Sequence, residues 1–292
     1  MPAYSHYTGR FAPSPSGPLH FGSLIAAVGS YLQARKQDGR WLVRIEDIDP
    51  PREVAGAVSA ILTTLEAHGL HWDESVSYQS QHSQFYDDAL TQLNHQGLSY
   101  YCRCTRAQIR NWGGHYPGAC RHRTLSAQNS ALRFYNRQPQ TEFTDDLLGK
   151  IEIPEPIAQE DFIVRRKDGL YAYQLAVVVD DIRQGITQVV RGADLLETTV
   201  SQIALYRALG ATPPAWLHLP VASIRQGFKL SKQNHAPALL NHEAMMNLHK
   251  VLVFLGMHPG AVSDYASPAA LLEWAVANWS VTSLPKCREI LI

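Results

Sequence analysis

Apolar positions along the first third of the chain alternate between strand-like runs and helical spacing. Tyr7 to Ala12 is short, carries aromatics and precedes a cluster of breakers, which predicts a first strand. Pro13, Pro15, Gly17 and Pro18 then exclude regular structure and force a rigid turn. Leu19, Phe21, Leu24, Ile25, Val28, Tyr31 and Leu32 recur at helical spacing and predict a buried helix. The run Trp41–Ile45 predicts a second strand, and residues 53–67 and 83–96 predict amphipathic helices across the polar, aromatic link His71–Gln81.

Further on, two strand-like runs flank an Asp168-Gly169 turn within 161–173, a hairpin signature. Gln174–Val179 and Ile186–Val190 read as continuous apolar strands, Leu195–Leu209 as a helix closed by Gly210, and Trp216–Ile224 as another strand. From Pro237 on, leucine, alanine and methionine at helical spacing predict a small all-helical tail. This alternation predicts an α/β protein with a Rossmann-type, doubly wound parallel sheet. The polar stretch 121–165 reads as turns and strands of an insertion.

With 292 residues and 45% hydrophobic content the chain can bury a proper core. Lys+Arg 26 balance Asp+Glu 26, so contact with nucleic acid requires a local basic patch. The chain lacks a run of membrane-spanning length and a signal-peptide pattern, so the cytoplasm is the expected compartment, with no membrane partner. Nothing in the pattern demands obligate assembly, and a monomer is expected.

Charged residues gather just past the strands. Glu46, Asp47 and Asp49 follow the second, Asp180 and Asp181 end the run at 174–179, and Arg191 and Asp194 follow Ile186–Val190. Open α/β sheets bind ligands at the carboxyl ends of their strands. Solvated turn capping is the competing reading of Asp180-Asp181. The helix start at His20 and Gly22 favours an anion such as phosphate, and Lys229 and Lys232 on the loop after Gly227 could grip phosphates as mobile charges. Cys102, Cys104 and Cys120, three thiols within nineteen residues, suit a tetrahedral zinc site lacking one ligand. On donor chemistry alone His115 or His122 serves better than Tyr116.

Four separated blocks together resemble the class I aminoacyl-tRNA synthetases, in their glutamyl/glutaminyl branch. Arg10-Phe11-Ala12-Pro13-Ser14-Pro15-Ser16-Gly17-Pro18-Leu19-His20-Phe21-Gly22-Ser23 is similar to the opening sequence with its HIGH signature. Arg44–Arg52 resembles the second block, and Val189–Leu195 the block that marks glutamyl members. Lys229-Leu230-Ser231-Lys232-Gln233 resembles the KMSKS loop. Ser23 replaces the last His of HIGH, while Leu230 and Gln233 replace the Met and final Ser of KMSKS. The likeness spans residues 7 to 235. Only about sixty residues follow the last block, too few for an anticodon reader. This short form, with its Cys-x-Cys…Tyr-x-x-x-Cys knuckle, resembles the glutamyl-Q tRNA(Asp) synthetases.

The resemblance implies that glutamate and ATP form glutamyl-adenylate, and that the glutamyl group passes to queuosine in the anticodon of tRNA(Asp). It implies a glutamate site at Arg10, Phe11, Ala12, Pro13, Ser14, Glu46, Tyr173 and Arg191. ATP falls to His20, Gly22 and Lys232, and catalysis to His20, Lys229 and Lys232. Mg²⁺ accompanies ATP, and a structural Zn²⁺ sits on Cys102, Cys104, Tyr116 and Cys120. The implied domains are a first catalytic half (1–99), a zinc-binding insertion (100–165), a second catalytic half (166–235) and a helical stem-contact segment (236–292). RNA contact rests on Arg103, Arg106, Arg110, Arg121, Arg123, Arg133 and Arg137, interleaved with Trp112, Tyr116, Phe134 and Tyr135. The competing functions are a shortened glutamyl-tRNA synthetase acting on the tRNA(Glu) 3′ end and a non-catalytic tRNA or amino-acid sensor.

Overall fold

The computed structural model describes residues 7–230 and 236–292. The chain opens with β1 (Thr8–Phe11), α1 (Phe21–Lys36), β2 (Arg40–Ile45), α2 (Ala57–Ala67), β3 (Ser77–Tyr78) and α3 (Ser83–His95). An inserted portion follows: β4 (Ser99–Cys102), α4 (Arg106–Asn111), β5 (Ala131–Phe134), β6 (Glu142–Asp145), β7 (Gly149–Glu152), α5 (Glu155–Ala158) and β8 (Ile163–Arg165). The chain then returns through α6 (Tyr173–Arg183), β9 (Gln188–Gly192), α7 (Thr199–Ala208), β10 (Ala215–Leu219), β11 (Val221–Arg225) and β12 (Phe228–Lys229). It closes with α8 (Ala244–Phe254), α9 (Pro268–Asn278) and β13 (Glu289–Leu291).

Strands β1, β2 and β3 pair in parallel, as do β9 and β10. The Thr187 N–H donates to the Thr8 carbonyl (2.9 Å) and joins the two groups into one parallel layer, ordered β3-β2-β1-β9-β10. Side-chain alternation feeds two cores. Trp41, Val43, Ile45, Val190, Leu217 and Leu219 face α1, α8 and α9. Leu42, Val189 and Trp216 face α3, α6 and α7. The predicted doubly wound arrangement is therefore present, with helices on both faces.

The breaker cluster after β1 is tied down by its own carbonyls. Pro13 O accepts from Glu46 N (3.0 Å) and Pro15 O from Val54 N (2.9 Å). Gly17, at φ 134°, takes a backbone conformation closed to side chains with a Cβ. Next, His20 caps α1: its Nδ1 accepts from Ser23 N (3.3 Å), and Ser23 Oγ accepts from His20 N (2.8 Å).

Five sequence expectations need correction. Residues 174–179 are not a strand but part of α6; Leu175 to Val179 are all buried, and a run buried on every side has no helical period to read. Asp180 and Asp181 therefore lie late in a helix, both buried, rather than at a strand end or in a solvated cap. The run 216–224 is two strands divided at Pro220, which cannot donate to a ladder. Its second half, β11, joins β12 antiparallel and β13 parallel, so the tail is helical except for that last strand. The helix expected at 195–209 begins with tighter 3₁₀ turns over Ala193–Thr198.

In the inserted portion β4, β5 and β8 form an antiparallel sheet, and the β6–β7 hairpin leans on β10 through Asp146 N–H to Trp216 O (2.8 Å). Helices α8 and α9 pack on α1, where Trp279 Nε1 donates to Gln33 Oε1 (2.7 Å). Among the described residues no helix is long and apolar enough to cross a membrane.

Candidate active site

A crevice of about 320 Å³ opens beyond the carboxyl ends of β1 and β2, lined by Ser14, Pro15, Glu46, Arg166 and Tyr173 among others. Glu46 follows β2 directly and is 8% exposed. Its Oε1 has no hydrogen-bond partner among the described residues, and the Arg44 Nη2 lies 3.8 Å away. Burial pushes the Glu46 carboxyl up to about 7, against the pull of Arg44 and Arg10.

Register places Arg10 opposite Leu42, on the α6 face of the sheet. There its Nε and Nη2 donate to the two carboxylate oxygens of Asp181 (3.1 and 3.3 Å). Arg44 Nη2 meets the same carboxylate at 2.8 Å, while Arg44 Nη1 donates to Gln184 Oε1 (2.5 Å). Asp180 accepts from Gln79 (2.9 Å) and Tyr86 (2.7 Å) and contacts His82 Nδ1 (2.7 Å). Phe11 sits on the opposite face, stacked on Trp41 and 6% exposed, so its ring belongs to the core and not to the crevice. Ser14 is exposed on the crevice wall; Ala12 is half-buried and Pro13 buried.

Arg191 is buried beneath the crevice and is not among its lining residues. Its guanidinium donates to His218 Nε2 (3.0 Å), Gln202 Oε1 (2.8 Å), Leu195 O (3.2 Å) and Thr199 Oγ1 (2.8 Å). All four acceptors are uncharged. Arg10 and Arg44, by contrast, each face a carboxylate. Burial pulls the Arg191 pKa down, partly opposed by Tyr173. Tyr173 in turn feels Arg191, Glu46, Arg10 and Asp181 together.

A second cavity holds His20, Gly22, Gly192, Asp194, Lys229 and Leu230. The start of α1 and the strand pair β11–β12 thus converge, and Lys229 Nζ donates to Asp194. Leu239 N–H donates to Leu19 O (3.0 Å), so the chain after the loop returns to the same helix start. Ser231, Lys232 and Gln233 lie outside the described residues.

In the insertion, the sulfurs of Cys102, Cys104 and Cys120 lie within 4.8 Å of one another. Tyr116 is buried beside them, its phenol oxygen accepting from Cys120 N (2.8 Å). His122 is exposed, and His115 points to Glu160 at 3.8 Å. Burial, and then crowding by the other two thiols, push Cys104 up to about 12, so three anionic sulfurs here require a cation. The three-sulfur donor set is therefore compatible with a thiophilic metal, and the Tyr116 phenol lies in the same small cluster.

A family model described as tRNA synthetases class I (E and Q), catalytic domain, matches residues 7–249. The chain is 57% identical over 292 residues to a glutamyl-Q tRNA(Asp) synthetase of Photobacterium profundum, covering 100% of this chain and 94% of the relative. It is 56% identical over 282 residues to the protein so named in Escherichia coli K12, covering 97% and 92%. The chain belongs to the glutamyl-Q tRNA(Asp) synthetases, within the class I synthetases for glutamate and glutamine. A glutamate tRNA ligase of Elizabethkingia meningosepticum, solved in complex with its amino acid, has the same fold (TM-score 0.79, 24% identity). The match covers 97% of this chain and 66% of that one.

In this synthetase the structure brings together Ser14, Glu46 and Tyr173 at one cavity, and His20, Gly22 and Lys229 at another; Arg10 and Arg191 are buried and line neither. Part of the expected RNA-facing set is not at the surface. Arg133 lies under the Tyr116 ring (3.7 Å) and donates to Asp161 O (2.5 Å); Phe134 is core; Arg121 is paired with Asp161. Cation–π contacts and ion pairs of this kind hold the insertion together. Arg103, Arg106, Arg110, Arg123, Arg137 and Trp112 stay exposed. Sequence reasoning missed Arg44 and His218, and it put Asp181 at a strand end where the structure has a helix. For Arg44 a signal existed: an arginine inside the apolar run Trp41–Ile45 must be buried, and a buried charge requires a partner.

Proposed function

We propose that the chain activates glutamate with ATP to glutamyl-adenylate and transfers the glutamyl group to queuosine in the anticodon of tRNA(Asp). One observation carries the glutamate half: beside Tyr173 stand a buried guanidinium with only neutral acceptors (Arg191) and a buried carboxylate with an open oxygen (Glu46). Such a pair complements a small zwitterion that brings an extra carboxylate. Arg10 and Arg191 bind the carboxylates and Glu46 holds the ammonium. Glutamine would leave Arg191 uncompensated, which discriminates strongly against it.

A glutamate carboxylate oxygen attacks the α-phosphorus, forming the mixed anhydride as the bond to pyrophosphate breaks. His20, Lys229 and Lys232, with the α1 start, stabilise the charge that spreads over the phosphoryl oxygens. Mg²⁺ bound to ATP would supply charge neutralisation at its phosphates. An acceptor hydroxyl then attacks the activated carbonyl and AMP leaves. Cys102, Cys104, Cys120 and Tyr116 would hold Zn²⁺, whose contribution is a structural crosslink of the insertion. Segments 1–99 and 166–235 act as catalytic halves, 100–165 as the RNA-contacting insertion and 236–292 as a stem contact, in a cytoplasmic monomer.

One finding supports queuosine as acceptor: the relatives of near-equal length carry that name. The test is acid-gel charging with labelled glutamate on tRNA(Asp) from cells with and without queuosine. Charging of the queuosine-containing tRNA alone is expected; charging that ignores queuosine, or that favours tRNA(Glu), overturns the reading.

A further inference from the structure

Arg191 is held from below by a chain of hydrogen bonds that begins in the insertion. Asp145, the last residue of β6, turns Oδ1 to the N–H groups of Leu147 (3.0 Å) and Leu148 (2.9 Å). Its Oδ2 faces His218 twice, at the backbone N (3.0 Å) and at Nδ1 (2.7 Å). A carboxylate only accepts, so Nδ1 carries the proton. That leaves Nε2 as a lone pair, which takes the Nε–H of Arg191 at 3.0 Å. His218 and Asp145 are 0% and 1% exposed. Trp216 stacks on the imidazole (6.4 Å) and Phe143 meets its edge (6.1 Å).

We propose that His218, locked by Asp145 into the tautomer with a bare Nε2, is a positioning residue that fixes the Arg191 guanidinium for the substrate carboxylate. The proposal rests on the reading of Arg191 as a glutamate ligand. The β6–β7 hairpin thereby reaches the amino-acid pocket without touching substrate. A protonated His218 cannot accept from Arg191 and would set a second cation against it. The charged groups facing the ring are Asp145 from β6, Arg191 from β9 and Asp194 just beyond it; α7 contributes the neutral Thr199. Burial and Arg191 lower the His218 pKa while Asp145 raises it, with burial the largest influence. The ring therefore stays neutral through the ordinary working range.

The test is ATP–pyrophosphate exchange with glutamate, read as separate KM values for glutamate and ATP. His218→Leu should raise the glutamate KM tenfold or more and leave the ATP KM within twofold. His218→Gln, which keeps an acceptor in reach of Arg191, should recover most of the loss in glutamate KM. Equal changes in both KM values, or no rescue by glutamine, overturn the proposal. If His218→Leu does not fold, His218→Met, which keeps the length without a comparable acceptor, takes its place: a glutamate KM equal to that of His218→Gln refutes the proposal. Arg191→Met separates the two layers. If it leaves the glutamate KM unmoved, the glutamate reading of Arg191 fails; if it raises that KM while His218→Leu does not, only the positioning role fails.

Discussion

Arg10 and Asp181 form a two-pronged ion pair across the sheet face, 171 residues apart in sequence, with side chains 4% and 3% exposed. Arg44 closes on the same carboxylate. One aspartate thus compensates two buried guanidinium groups, one of them the proposed ligand of glutamate. Asp181→Asn keeps the shape but removes the charge from both. Breaking such a buried pair costs about 3–5 kcal/mol. The expected result in urea is a midpoint lowered to match. In surviving protein the glutamate KM should rise while the ATP KM holds. A variant with wild-type stability and wild-type glutamate KM would show that Asp181 does neither.

Glu46 joins stability to pH in the opposite sense from an ordinary ion-paired carboxylate. Its folded pKa is raised from the usual 4.5 to about 7, so the native state holds the proton longer than the unfolded chain. The associated stability is complete below about pH 4.5 and is lost as pH rises through 7. The difference amounts to about 3 kcal/mol. Glu46→Gln should therefore make the ligand-free protein more stable at pH 8, with little change at pH 5. The same variant should bind glutamate far more weakly, because an amide cannot balance an ammonium. In the native enzyme the glutamate KM should climb below pH 7 as Glu46 becomes protonated. Urea melts at the two pH values and a KM profile check both halves; a melting curve insensitive to Glu46→Gln at pH 8 contradicts the assignment.

How far sequence alone reaches is seen by comparing Glu46 with Asp181. Glu46 stands at a pattern boundary, just past a compact apolar run and beside breakers, and the strand end that exposes it to the crevice can be read locally. Asp181 cannot, because α6 is enclosed on all sides and its apolar run looks the same as a buried strand. The residues that hold Arg10 and Arg191 come from α6, β10 and the inserted hairpin, and nothing local says that these meet. His218 sits in an apolar strand, 73 residues from Asp145. The three sulfurs behaved differently, since their spacing in one short segment already constrains them. Choosing Tyr116 over two histidines was beyond donor chemistry alone and rested on the resemblance; the structure buries the phenol in the same cluster as the thiols and leaves His122 exposed.

The thiol cluster predicts a separation of the two half-reactions. Zinc removal by a chelator should leave glutamate-dependent pyrophosphate exchange close to intact, since the sulfurs belong to a core of their own apart from the crevice. Transfer to tRNA should fall sharply as the insertion loosens. Tyr116→Phe should lower zinc affinity, a loss of about tenfold or more being typical for groups that orient or complete a metal site. Metal content after dialysis against graded chelator measures it. Zinc retention equal to wild type would remove Tyr116 from the ligand set.

Gly22 lines the cavity that His20 and Lys229 share. A Cβ built there would lie 3.1 Å from His20 Cε1 and 3.3 Å from the Leu230 carbonyl oxygen. The His20 ring can swing, but only by giving up the Nδ1 contact that accepts Ser23 N–H and caps α1. The Leu230 carbonyl is backbone, and its residue is bound to β11 through the N–H donated to Ala222 O (2.7 Å). Gly22→Ala should therefore displace either the capping histidine or the strand that carries Lys229, both of which face the phosphates in the proposed mechanism. About tenfold loss in kcat/KM for ATP, equivalent to ~1.4 kcal/mol of transition-state stabilisation, is the expected scale. The glutamate KM should stay near wild type, because Glu46 and Tyr173 line a different cavity. Exchange kinetics with each substrate varied in turn would decide it; an alanine enzyme with unaltered ATP kinetics would mean that this narrow contact does not shape the nucleotide site.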